Sequence, residues 1–108
     1  MPFMKLSVLL TSTMLAFGPV LLLTTSAHAQ TAAEAALLAG GCVGCHGVSG
    51  QGGQGIPSIR DTQTRAEFVA TMQAFRANQR EATVMGRISR GYTDAEITKL
   101  AAFYARAQ

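Results

Sequence analysis

The chain carries few of the residues that binding and catalytic sites are usually built from. In 108 residues there are two cysteines, Cys42 and Cys45, two histidines, His28 and His46, and no tryptophan. Structural zinc sites take four ligands, almost always Cys and His, and beyond residue 29 only three such residues exist. A structural zinc site within that region therefore lacks its fourth Cys or His, which makes it the weaker reading. No window alternates apolar and polar residues as a half-buried strand does, so the βαβ setting expected around a thioredoxin-like C-x-x-C is missing. Charged residues make up only 14% of the chain, and no Lys/Arg cluster provides an electrostatic footprint for nucleic acid.

Hydrophobic residues, by contrast, are plentiful at 48%, and many of them lie at the start. Lys5 precedes an apolar run from Leu6 to Leu23, interrupted at Gly18-Pro19, and Ala27-His28-Ala29 follows. This is the n-region, h-region and A-x-A order of a secretory signal peptide. The run is long enough for a membrane anchor, but the A-x-A site favours cleavage after Ala29. Residues 1–29 are thus expected to be a signal peptide and 30–108 the mature domain, exported to the periplasm and free of the membrane. The mature 79 residues keep eight Lys and Arg against six Asp and Glu, a formal charge of +2. A domain this small often needs a disulfide, a metal or a cofactor to be stable.

Thr31/Glu34, Thr64/Glu67 and Thr93/Glu96 each have the Thr-x-x-Glu spacing of a capping box. Each precedes a helix-compatible run. The first, residues 32–39, is Ala-rich and meets Gly40-Gly41, a stop signal. The second, from Arg65 to about Asn78, places Phe68, Met72 and Phe75 at helical spacing. The third, from Asp94 to about Ala105, does the same with Ile97, Leu100, Ala101 and Tyr104. Between them, Gly47 to Gly55 is too glycine-rich for helix, and Pro57 fixes an extended turn. The segment from Gln79 to Tyr92 reads as a second connector. The expected fold is small and all-α, three main helices with long loops of the kind that wrap a ligand.

Cys42-Val43-Gly44-Cys45-His46 has the c-type haem attachment spacing. On one helical turn the two sulfurs reach one porphyrin edge and form thioethers with its vinyl groups. His46 then offers its imidazole to the iron. A disulfide across two intervening residues would staple almost nothing. One covalent haem c is therefore expected. His46 is the only histidine after residue 29, so bis-histidine ligation within the mature chain is excluded. A thioether is the usual alternative sixth ligand and raises the reduction potential. Met72 and Met85 are the only methionines beyond the leader. Met72 falls in an apolar helix stripe that suits core packing. Met85 lies in a Gly-containing connector and is the preferred ligand.

The order of these elements resembles that of class I cytochromes c, over the whole mature region. The resemblance implies that the carbonyl of Pro57 accepts a hydrogen bond from the His46 ring, fixing the ligand's tautomer. It also implies that Gly40 or Gly41 meets Leu100, Phe103 and Tyr104 where the terminal helices cross. "CVGCHGVSGQGGQGIPSI" and "TVMGRISRGYTDAEI" are similar to the haem subunit of flavocytochrome c sulfide dehydrogenase, in which the Met of the second stretch is the axial ligand. Arg60-Asp61 stands where that subfamily implies a small residue and Gly.

A six-coordinate haem leaves no iron site for substrate, so one-electron transfer is expected, with no catalysis by this chain alone. The expected partners are redox proteins, among them a FAD flavoprotein subunit; a free electron shuttle is the alternative. A five-coordinate, ligand-binding haem protein would require that Met85 not bind. Arg60, Arg87 and Arg90 are candidates for pairing with haem propionates, or are simply solvated.

Overall fold

The computed structural model describes residues 31–107, so the expectations for residues 1–29 lie outside the described part. Five helices follow one another: α1 (residues 31–38), α2 (Gly40–His46), α3 (Arg65–Arg76), α4 (Met85–Ser89) and α5 (Asp94–Tyr104). Among the described residues there is no strand, only isolated bridges at Gly53–Ile56 and Thr64–Arg106.

α3 and α5 start where their capping boxes put them. The Thr64 N–H donates to Glu67 Oε2 at 2.7 Å and the Glu67 N–H to Thr64 Oγ1 at 3.3 Å. Thr93 and Glu96 repeat the arrangement at 2.8 and 3.3 Å. Each box satisfies two backbone groups that an open helix end would leave without partners. These bonds hold the Glu67 and Glu96 carboxyls below the usual range, the Thr backbone N–H being the main cause. At the start of the chain, Glu34 Oε1 pairs with Lys99 Nζ at 2.6 Å, tying α1 to α5.

α3 packs against both α4 and α5. The α5 stripe is the centre of the core: Ile97, Leu100 and Tyr104 are completely buried and Ala101 nearly so. Phe68 and Met72 of α3 face it, and the Phe68 and Tyr104 rings stack with centroids 6.2 Å apart. Burying each large apolar side chain contributes roughly 1.5–3 kcal/mol, so this interface dominates the packing. Arg76 of α3 closes one end of it by an ion pair to Asp94 and a 3.1 Å bond from its guanidinium to the Tyr92 carbonyl.

Three local expectations are corrected. First, Gly40-Gly41 does not stop the leading helix. The chain tightens at Ala39, where Cys42 N bonds Ala39 O at 2.8 Å, and then re-enters helix as α2. Second, the crossing with α5 does not use these glycines: a Cβ on Gly40 would meet nothing within 4 Å, and one on Gly41 would strike the Tyr92 hydroxyl. Ala39 supplies a small residue there instead, sharing a buried cluster with Leu100, Ala101 and Tyr104. Third, part of the 79–92 connector is helical, with Met85 heading α4.

The loop after α2 is held by backbone bonds. Gly52 N donates to His46 O at 2.7 Å, and Gly50 O accepts from Ile59 N at 2.8 Å. Both glycines are obligatory in this geometry. At Gly50, φ is +77° and a Cβ would strike the Tyr104 ring at 2.7 Å. At Gly52, φ is +71° and a Cβ would lie 2.5 Å from Ile56 O. Arg60 fastens the loop to α5: its guanidinium bonds Ser49 O and Phe103 O, each at 2.9 Å, and lies over the Phe103 and Tyr104 rings. Asp61 N reaches Tyr104 O at 2.9 Å. Asp61 has φ +56°, which explains why a glycine would be favoured there.

Candidate functional site

α2 presents Cys42, Cys45 and His46 within two turns, and their surroundings differ sharply. Cys42 is 7% exposed and belongs to the core cluster, whereas Cys45 points to solvent. Both are free thiols, not a disulfide. Burial pushes the Cys42 thiol pKa up, and the neighbouring Tyr92 and Tyr104 hydroxyls pull it part of the way back. Tyr92 Oη donates to Leu38 O at 2.9 Å. Tyr104 is pushed up to about 12, chiefly by burial and then by the adjacent Cys42. Its buried hydroxyl makes no hydrogen bond to any described residue, and Tyr104 shares the core cluster with Cys42.

His46 ends α2 and is also 7% exposed. Its Nδ1 lies 2.8 Å from the carbonyl oxygen of Pro57. A carbonyl only accepts, so Nδ1 carries the hydrogen. In the neutral ring the lone pair then resides on Nε2, the state in which a histidine ligates a metal. Eleven residues separate the partners, and the glycine turns at 50 and 52 bring them together.

The two mature methionines occupy different settings. Met72 is 5% exposed inside the α3–α5 cluster. Met85 is partly buried at the cluster's margin, where it heads α4. Beneath it, fully buried Ser89 donates its hydroxyl to Met85 O at 2.6 Å, fixing the short helix. Among the three arginine candidates, Arg60 is committed to backbone carbonyls and two aromatic rings. Arg87 and Arg90 form no ion pair with any described residue.

Sequence reasoning did not find Ser89, Tyr92 or Tyr104 as polar members of the site. Tyr104 was legible only as an apolar position of the α5 stripe, and its hydroxyl was the signal to follow. Ser89 and Tyr92 sit in a segment without periodicity.

The residues present fit a covalently held haem. Two unpaired thiols lie one helical turn apart, and the adjoining histidine has its outer nitrogen engaged by a carbonyl. An all-α fold with this turn defines a c-type haem protein. The chain belongs to the cytochrome c family, whose model matches residues 32–106. Its cofactor is therefore haem c, attached covalently, with Cys42 and Cys45 at the attachment spacing. No curated protein matches the chain. The cytochrome c family carries out haem-based electron transfer with redox-protein partners. No helix among the described residues is long and apolar enough to cross a membrane.

Proposed function

We propose that this cytochrome is a periplasmic one-electron carrier whose iron is held by His46 and Met85, and that it is the haem subunit of a flavoprotein sulfide dehydrogenase. The observation that carries the ligand set is the contrast between the methionines. Met72 packs as core, while Met85 stands at the core's margin on a helix braced by Ser89. Pro57 holds the His46 ring in one tautomer. Haem c supplies one-electron chemistry by passing between ferric and ferrous iron. The polypeptide's part is to fix the imidazole, exclude water through the Cys42 side and leave a surface for a partner. With His46 and Met85 as its ligands the iron would have no open position for substrate, and the reaction at this subunit would be electron relay.

The partner reading rests on the similarity around Met85 to Tyr104 and on the uncharged loop from Gly47 to Gly55. A loop of small residues suits close, stable subunit packing, whereas a transient carrier more often presents a ring of like charge for steering. Arg87 and Arg90 favour the second reading, a free shuttle, because both are exposed beside Met85. Purification from the native source at moderate salt separates the two. The subunit reading expects flavin absorbance to co-elute and sulfide to reduce the haem. A haem protein eluting alone, unreduced by sulfide, establishes the shuttle. Export with residues 1–29 removed is part of the proposal, and the intact mass of the haem-loaded periplasmic protein, starting at Gln30, checks it.

A further inference from the structure

We infer that the Tyr104 hydroxyl is the hydrogen-bond donor to the Cys42 sulfur in the haem-loaded protein, and that it makes the two thioether attachments electronically unequal. Three observations converge. Tyr104 is completely buried, and its hydroxyl is the one buried side-chain polar atom among the described residues that lacks a hydrogen-bond partner. A buried hydroxyl left unpaired is costly and rare, so a partner in the working protein is expected. Cys42 belongs to the same buried cluster as Tyr104, and each of the two groups shifts the pKa of the other. The other hydroxyl acting on the Cys42 thiol, on Tyr92, already gives its hydrogen to Leu38 O at 2.9 Å. Tyr104 is thus the one donor left for Cys42.

Attachment changes the sulfur in the direction this pairing needs. The thiol adds across a vinyl double bond, sulfur to one carbon and hydrogen to the other, with no oxidant and no leaving group. A thiol is both a weak donor and a weak acceptor; the resulting thioether is an acceptor only. The Tyr104 ring is already fixed: it stacks on Phe68, meets Phe103 edge-on at 4.9 Å and lies under the Arg60 guanidinium. Gly50 leaves room for it on the loop side. Cys45 is exposed, so its sulfur meets solvent in place of a fixed, buried donor. A hydrogen bond to the Cys42 thioether draws electron density from that edge of the macrocycle, which disfavours the ferric state. Tyr104 is therefore a positioning and tuning residue, and hydrogen bonding around a haem is one of the protein's levers on potential.

The test is Tyr104→Phe in the haem-loaded protein, which keeps the ring and removes only the hydroxyl. Resonance Raman with sulfur-isotope-labelled cysteine assigns the two C–S modes. The expected result is a shift of the Cys42 mode alone and a lower reduction potential. Tyr92→Phe, as control, should leave both modes in place. In the wild-type protein, exchange into D2O should shift the same Cys42 mode, a readout that needs no variant. An unmoved Cys42 mode in Tyr104→Phe and in D2O, with unchanged potential, overturns the inference. So does a mode that moves in Tyr92→Phe and not in Tyr104→Phe. If the hydroxyl is orphaned even in the loaded protein, its removal should also lower the unfolding equilibrium constant by about fivefold or more, and that result counts against the pairing.

Discussion

The molecule has two halves held by different physics. In the α3–α5 half, side chains do the holding: Phe68, Met72, Ile97, Leu100 and Tyr104 bury one another. In the half formed by residues 46–60 and 84–89, the backbone does it, through glycine turns, the Pro57 carbonyl and carbonyls that accept from Arg60 and Ser89. That second half also keeps Val48, Ile56, Val84 and Ile88 exposed, with Val48 at 83%. The lesson is a division of labour. One half makes the domain stable, and the other presents His46 and Met85 in defined places with little side-chain packing of its own.

The largest expected effect comes from the backbone half. His46→Ala should abolish stable low-spin haem while α3 and α5 remain folded, as absorption and far-UV circular dichroism would show together. Joint loss of both signals would mean that the halves are one cooperative unit.

The methionines set one half directly against the other. Met72→Ala should cost about 2–5 kcal/mol, the usual range for emptying a core position, and keep the sulfur-to-iron charge-transfer band of the ferric protein. Met85→Ala should lose that band and lower the potential, with a smaller stability change by chemical denaturation. A band that survives Met85→Ala and vanishes in Met72→Ala would exchange their roles.

A smaller change probes the loop. Gly52→Ala forces a side chain into a positive-φ residue facing the Ile56 carbonyl, for a strain of about 1–3 kcal/mol. Because the loop carries Pro57, the potential should move along with the melting temperature. A melting change with a fixed potential would show that the loop does not hold His46.

The smallest expected effects belong to the helix starts. Thr64→Ala or Thr93→Ala should each cost about 1 kcal/mol in thermal unfolding. The Glu67 and Glu96 carboxyls titrate below their ordinary value of 4.5 in the folded chain. Their stabilisation is therefore full above that value and is lost as pH falls through the lowered one. Stability should decline below pH 4.5, and less so in the Glu67→Gln, Glu96→Gln double variant, where a pH titration of the melting temperature would register it.

The two halves were also unequally legible. The α5 stripe and both later capping boxes could be read directly, because side-chain periodicity and cap spacing are local signals. α4 could not: "MGRIS" is five residues containing a glycine and has no period. Gly40-Gly41 read as a stop because glycine disfavours helix, yet Gly41 is helical, where the bare backbone admits the Tyr92 hydroxyl that bonds Leu38 O. That contact spans 54 residues, a distance no local window covers. Cys42, Cys45 and His46 were legible from spacing alone. The hydroxyls that surround Cys42 were not, because they arrive from the other end of the chain.

The burial of Cys42 sets an order in time. Cys42 shares its cluster with Tyr104 from the far end of the chain, whereas Cys45, one helical turn on, is open to solvent. A thiol-specific reagent applied to the haem-free chain should therefore modify Cys45 well before Cys42, and equal rates would show that the cover is loose.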